Sequence, residues 1–300
     1  MTDAPSASLA ALLNPDRLTC VVDVGANPID GEPPYKMLLQ NRLCRVVGFE
    51  PQSNALAALN ARKTDLETYL PYVLGDGGAG VLKLCRAPGM TSLLMPDPHM
   101  LSHFAGFPEW GTVVGEAPVT THRLDDVAEI TDFDFLKIDV QGSELTVMQN
   151  GRRKLANAIA VQAEVSFLPL YKDQACFGEI EIELRGLGFV PHALAAVNKR
   201  MILPMRLGGN PYAALNQIVE ADVVYVRDFT RADNMSAEQL KHLAIVAHYC
   251  YGSFDLAGNC IHHLMARKSL PPDTLEKYLA ELKKAAEQAP QRVTTGNVQK

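Results

Sequence analysis

The chain has 300 residues, 47% of them hydrophobic, and 28 Lys and Arg against 34 Asp and Glu give a formal net charge of −6. That length suits one large α/β domain, with or without an appendage, and the apolar content suffices for a full core. The acidic balance without a Lys/Arg run argues against nucleic acid as a partner, and no apolar run is long enough to span a membrane.

Residues 1–17 read as a leader carrying a short helix over 8–13, halted before Pro15. A buried strand is expected over 19–24, and Pro33-Pro34 then opens a helix over 35–40. A second strand over 45–49 ends at Glu50-Pro51, and Ser53 or Asn54 caps a helix over 55–62. A third strand is expected over 68–74, followed by a glycine-rich turn and a half-exposed antiparallel strand over 81–85. The pattern dissolves over 95–117, where prolines, Phe104, Phe107 and Trp110 suggest a lid.

Regular elements resume with a strand over 119–122, a helix over 124–130 and a strand over 133–138. A helix over 144–150, a strand over 159–165 and a helix over 177–187 follow, and strands over 190–195 and 221–226 complete the domain. This gives residues 18–228 as the domain and 229–300 as a C-terminal helical appendage with a frayed end, opened by the capping box at Ser236 and Gln239. The six cysteines are scattered without a CxxC pair and read as reduced thiols. Since residues 1–13 lack a basic start, a cytoplasmic protein is expected.

Three strand ends carry carboxylates: Asp23 in DVGAN, Glu50 in GFEP and Asp139 in FLKIDVQGSE. In an open parallel sheet, ligands bind beyond the carboxyl ends of the strands, so these acids describe a nucleotide-type crevice. Gly25 allows a tight turn and close backbone approach, Ala26 and Asn27 offer amides for a ligand carboxylate, and Glu50 is placed to accept from ribose hydroxyls. Asp76, after the third strand, is placed to accept from an adenine amino group. The GxGxxG spacing that a dinucleotide pyrophosphate requires is missing, which favours a phosphate-free adenosine ligand over NAD.

DVGAN, GFEP, LGD (74–76), TSLL (91–94), RLDD (123–126), FLKIDVQGSE and AEVSF (163–167) together resemble the FkbM family of S-adenosylmethionine-dependent methyltransferases. The resemblance implies a Rossmann-like methyltransferase fold: a mostly parallel central sheet with helices on both faces. It implies methyl transfer, most often to a hydroxyl oxygen on a sugar, glycan precursor or other small molecule. Asp23, Gly25, Asn27, Glu50 and Asp76 become cofactor contacts, Ala26 and Pro51 join them from the same motifs, and Asp139 becomes the carboxylate nearest the methyl group. Two positions depart from the pattern: Pro28-Ile29-Asp30 stands where a further glycine is usual, and Gln141 where the family often has Glu.

Asp139 leads as the group that positions the acceptor or removes its proton, with helix capping as its other reading. Glu164 is second, and it could equally serve as a buried structural partner. A Mg²⁺ ion between Asp139 and Glu164 lacks a third ligand and is not expected, nor is zinc at His99 and His103. The C-terminal helices pack on the domain, complete an acceptor pocket or form a homo-oligomer interface. The altered loop after Asn27 keeps a second reading open, that of a non-catalytic methyltransferase-like binding module.

Overall fold

The computed structural model describes residues 8–27 and 31–288. Strands β1 (Thr19–Val24), β2 (Cys44–Phe49), β3 (Glu67–Leu70), β7 (Phe135–Ile138) and β8 (Ala160–Ser166) run parallel; β9 (Phe189–Arg200) and β10 (Gln217–Arg227) form a hairpin antiparallel to its neighbour β8. The order across this seven-stranded sheet is β3-β2-β1-β7-β8-β10-β9. A smaller sheet holds β4 (Val73–Leu74), β6 (Val113–His122) and β5 (Ala79–Cys85) in the order β4-β6-β5.

Strand alternation divides the core in two. Val21, Val46, Phe135 and Val224 face a layer built by α1 (Leu9–Leu13), α2 (Lys36–Gln40), α9 (Ala237–Tyr251) and α10 (Phe254–Ala266). Val22, Val24, Leu136 and Val161 face the layer of α6 (Glu144–Gln149), α7 (Arg152–Leu155) and α8 (Phe177–Gly186). The C-terminal helices thus cover one face of the sheet, and α11 (Thr274–Gln288) adds Tyr278, which shares a hydrogen bond with His248. Ser236 and Gln239 form the expected capping box at the start of α9.

Three expectations about elements change. The strand expected over 68–74 is split at Pro71, its first part joining the large sheet as β3 and its second the small sheet as β4. In place of a helix over 124–130 stands a single 3-10 turn, Leu124–Asp126. The Asp125 carboxylate accepts from the Arg153 and Lys154 amides, and the Lys154 ammonium donates to the Val127 and Ile130 carbonyls. Residues 95–117 are folded, with α4 (Pro98–Leu101) and α5 (Phe107–Trp110) burying Phe104 and Phe107 in a third apolar cluster with Tyr171 and Val219. The remaining helix, α3 (Ser53–Arg62), lies on the surface with no buried residue.

Candidate active site

The carboxyl ends of β1, β2 and β7 enclose a cleft of about 780 Å³, counting the space open to solvent at its mouth. Gly25, Asn27, Glu50, Pro51 and Asp139 all line it.

The approach of β1 to β7 sets its shape. Gly25 has φ +80°, and a Cβ there would lie 1.9 Å from the Asp139 carbonyl oxygen. The Asp139 amide donates to the Val24 carbonyl, and the Gly25 and Ala26 amides both donate to the Phe49 carbonyl. Those two amides are therefore occupied, and Ala26 itself is buried and does not line the cleft. Pro28, Ile29 and Asp30, the departure noted in the sequence, lie outside the described residues.

Asp23 sits beneath this turn, 3% exposed. The Tyr35 hydroxyl donates to its Oδ2 at 2.5 Å. Its Oδ1 has no hydrogen bond; the Lys137 ammonium, 3.5 Å away, makes an ion-pair contact instead. Lys137 also donates to the Gly25 carbonyl. Burial raises the Asp23 carboxyl while Lys137 and Tyr35 oppose it. Burial would lower the Lys137 ammonium, but Asp23, Asp139 and Glu164 carry it above its ordinary value. Asp23 and Lys137 thus brace the cleft floor from below.

Glu50 is 2% exposed yet lines the cleft. Its Oε1 accepts from the Gln52 amide at 2.7 Å, and burial pushes its carboxyl up. Asp76 lies elsewhere. It is exposed, caps the turn after β4 by accepting from the Gly78 amide and the Thr121 hydroxyl, and is held low by those bonds. It is not part of the cleft wall, whereas Tyr72, Val73 and Leu74 just before it are.

Asp139 and Glu164 meet through Gln141. Its Nε2 donates to Asp139 Oδ1 at 2.8 Å and to Glu164 Oε2 at 2.7 Å, while its Oε1 lies 3.0 Å from the Tyr171 hydroxyl. This network fixes the amide's orientation, since both carboxylates need a donor. Gln141 has φ +56°, and the Ser92 hydroxyl holds its carbonyl. Glu144 accepts from the Val140 and Gly142 amides, pinning the same loop from below. Burial pushes the Glu164 carboxyl well above its ordinary range, with the Asp139 charge adding to it. Burial likewise brings Glu144 and Glu220 up to about 7. Among the described residues no group of three His, Cys, Asp or Glu is arranged to hold a metal, and His99 and His103 stack edge to face.

Sequence reasoning passed over Tyr35, Lys137, Gln52, Ser92 and the Tyr72–Leu74 wall. Lys137 had a visible signal, a cation inside an otherwise apolar buried strand two residues before Asp139. Leu74 and Ser92 fall inside the LGD and TSLL segments and Gln52 engages Glu50 two positions away, whereas Tyr35 gave no signal because its partner Asp23 lies on β1.

Residues 23–191, more than half of the chain, match the family model described as the methyltransferase FkbM domain. The chain belongs to the FkbM family of S-adenosylmethionine-dependent methyltransferases. That match begins at Asp23 and ends in β9, so α9, α10 and α11 lie beyond it. Solved structures with likeness to the methyltransferase are remote. The magnesium protoporphyrin IX methyltransferase of Synechocystis PCC 6803 is 9% identical over 70% of this chain and 71% of its own, with a TM-score of 0.36. The precorrin-6y C5,15-methyltransferase of Geobacter metallireducens GS-15 is 12% identical over 73% and 88%, with a TM-score of 0.36. A putative tRNA (m1A22) methyltransferase of Streptococcus pneumoniae is 12% identical over 90% of each chain, with a TM-score of 0.35. The assignment rests on the family match. No curated protein matches the sequence.

Proposed function

We propose that this methyltransferase transfers a methyl group to a hydroxyl oxygen of a sugar, glycan precursor or other small molecule. The observation that carries the reading is the Asp139–Gln141–Glu164 cluster, in which Asp139 and Gln141 line the cleft and Gln141 links Asp139 to Glu164. The cleft residues fit an adenosine-type cofactor. Glu50 is a buried carboxylate facing the cleft with one oxygen engaged, and Gly25 lets the end of β1 lie against the Asp139 backbone, where any Cβ would collide. S-adenosylmethionine supplies an electrophilic methyl group on a sulfonium. Glu50 would accept hydrogen bonds from the ribose hydroxyls, with Pro51 beside it, and Asn27 would serve the amino-acid end. Asp139 takes up the proton that the acceptor hydroxyl loses. Gln141 and Glu164 hold that carboxylate in place, and Lys137 beneath offsets the crowded negative charge.

Calorimetry with S-adenosylmethionine and methyl-label transfer onto a panel of hydroxylated acceptors test the reading together. Glu50→Ala removes up to two charge-assisted hydrogen bonds, so affinity should drop by about 2–4 kcal/mol. Asp139→Asn should keep the cofactor and lower turnover by roughly 10²–10⁴-fold. Absence of cofactor binding by the wild-type chain would instead favour a binding module that has kept the fold. Label appearing on nitrogen or carbon acceptors only would remove the hydroxyl assignment.

A further inference from the structure

The chain is acidic as a whole, but residues 189–219 contain Lys199, Arg200 and Arg206 and not one Asp or Glu. The same stretch concentrates exposed apolar surface. Among the described residues, seven of the fifteen large exposed hydrophobic side chains lie between 194 and 215. Leu194 and Val197 are on the edge strand β9, and Ile202, Met205, Leu207, Tyr212 and Leu215 are on the β9–β10 loop, each of these five 49% to 62% exposed. Monomer surfaces rarely cluster apolar groups so densely without a partner.

The topology places the loop. β10 is antiparallel to β8 with Glu220 opposite Ser166, and Arg200 at the end of β9 lies opposite Gln217. The loop between them therefore leaves the sheet at the edge where β1, β7 and β8 end, the edge that bears the cleft. It is tied there by the Leu203 amide on the His103 carbonyl and by Tyr212 stacked on Trp110. Arg200 is held between Phe107 and Tyr212. Lys199 and Arg206 are exposed, and neither forms an ion pair among the described residues.

We propose that the β9–β10 loop docks the methyltransferase on an anionic lipid surface. Met205 and Leu207, on either side of Arg206, enter the acyl boundary with Ile202 and Leu215, while Tyr212 lies at headgroup depth. Arg206 and Lys199 meet the lipid phosphates. The loop is irregular and carries Gly208 and Gly209, so its backbone stays at the headgroups and only side chains are immersed. Charge decides against a second copy as the occupant: two-fold pairing of this arm would set Lys199 and Arg206 of one copy against the same cations of the other. An anionic bilayer attracts them. Resting on the site reading above, the cleft edge would then face lipid-borne hydroxyl acceptors.

The test is sedimentation of the full chain with sucrose-loaded vesicles of phosphatidylcholine and phosphatidylglycerol, against phosphatidylcholine alone. The wild type should pellet with the anionic vesicles and be released by salt. Lys199→Glu with Arg206→Glu should weaken binding by at least about 25-fold, from about five-fold per charge. Met205→Ser with Leu207→Ser should abolish it. Both variants should keep their circular dichroism and their calorimetric affinity for S-adenosylmethionine. Equal partition onto neutral and anionic vesicles overturns the proposal. So does a wild-type dimer in light scattering that the Met205→Ser, Leu207→Ser variant dissolves without any vesicle binding. Loss of cofactor binding with vesicle binding intact would sink the site reading and leave the docking surface standing.

Discussion

Gly25→Ala tests the geometry on which the cleft depends. The added Cβ would lie 1.9 Å from the Asp139 carbonyl oxygen, where contacts under 3.0 Å force a shift, so β1 and β7 must part by about 1.1 Å. No flexible side chain can yield, because the obstacle is backbone held by the Asp139 amide on the Val24 carbonyl. Placing Ala at φ +80° adds conformational strain. Strain of about 1–2 kcal/mol and overpacking of about 1–3 kcal/mol together predict a loss of about 2–5 kcal/mol. Much of a typical domain's margin would go. Urea unfolding measures the loss, and calorimetry with S-adenosylmethionine reports whether Glu50 and Asp139 remain in register. Gly89→Ala is the control. It lies on the same cleft, a Cβ there meets nothing within 4 Å, and it should change stability by no more than about 1 kcal/mol. A Gly25→Ala protein within about 1 kcal/mol of wild type and with unchanged affinity would refute the argued close approach.

Two further outcomes follow from the buried carboxyls. Glu144 is pushed up to about 7 by burial, so the folded state binds its proton more tightly than the unfolded chain does. Its stabilising contribution is complete below pH ~4.5 and is lost as pH rises through ~7, with a magnitude of about 3 kcal/mol at most. Glu144→Gln should flatten that fall in urea unfolding between pH ~5 and ~8, and an unchanged slope would count against it. Gln141→Glu replaces a two-proton donor with a third carboxylate, so the pH profile of methyl transfer should move upward while S-adenosylmethionine affinity holds. An unmoved profile would exclude Gln141 from the carboxylate cluster.

The parts of the fold legible in the sequence were those set by local pattern. Short, largely apolar runs at or next to Asp23, Glu50 and Asp139 pointed to the parallel sheet, and the crevice at their ends followed from the fold class. Asp76 shows where local pattern stops. Its position after a strand looked like that of Glu50, but β4 leaves the main sheet, and Thr121, a partner 45 residues away, draws Asp76 into a turn. Leu124, Val127 and Ile130 are apolar at helical spacing and all three are buried, yet only a 3-10 turn forms, with Asp125 and Lys154 bonding between this segment and the start of α7. Lys137 stands out in the sequence as a cation inside an apolar strand, but its partner Asp23 is apparent only once β1 and β7 are neighbours with the two residues opposite in register.

Gln141 reverses the meaning of a departure from the family pattern. Read as sequence, it is an acid lost from a motif that often has one. In the structure it lies among Asp139, Glu164, Glu144 and Glu220, with Lys137 beneath and Arg200 acting on Glu220. Tyr171 and Asp222 lie on the surrounding elements. A further carboxylate there would raise the proton affinity of its neighbours and keep more of the cluster neutral. The amide supplies two donors and no charge, so one side chain holds both Asp139 and Glu164 without adding a third charge. The departure from the family pattern therefore keeps both hydrogen bonds while limiting the negative charge crowded around Asp139 and Glu164.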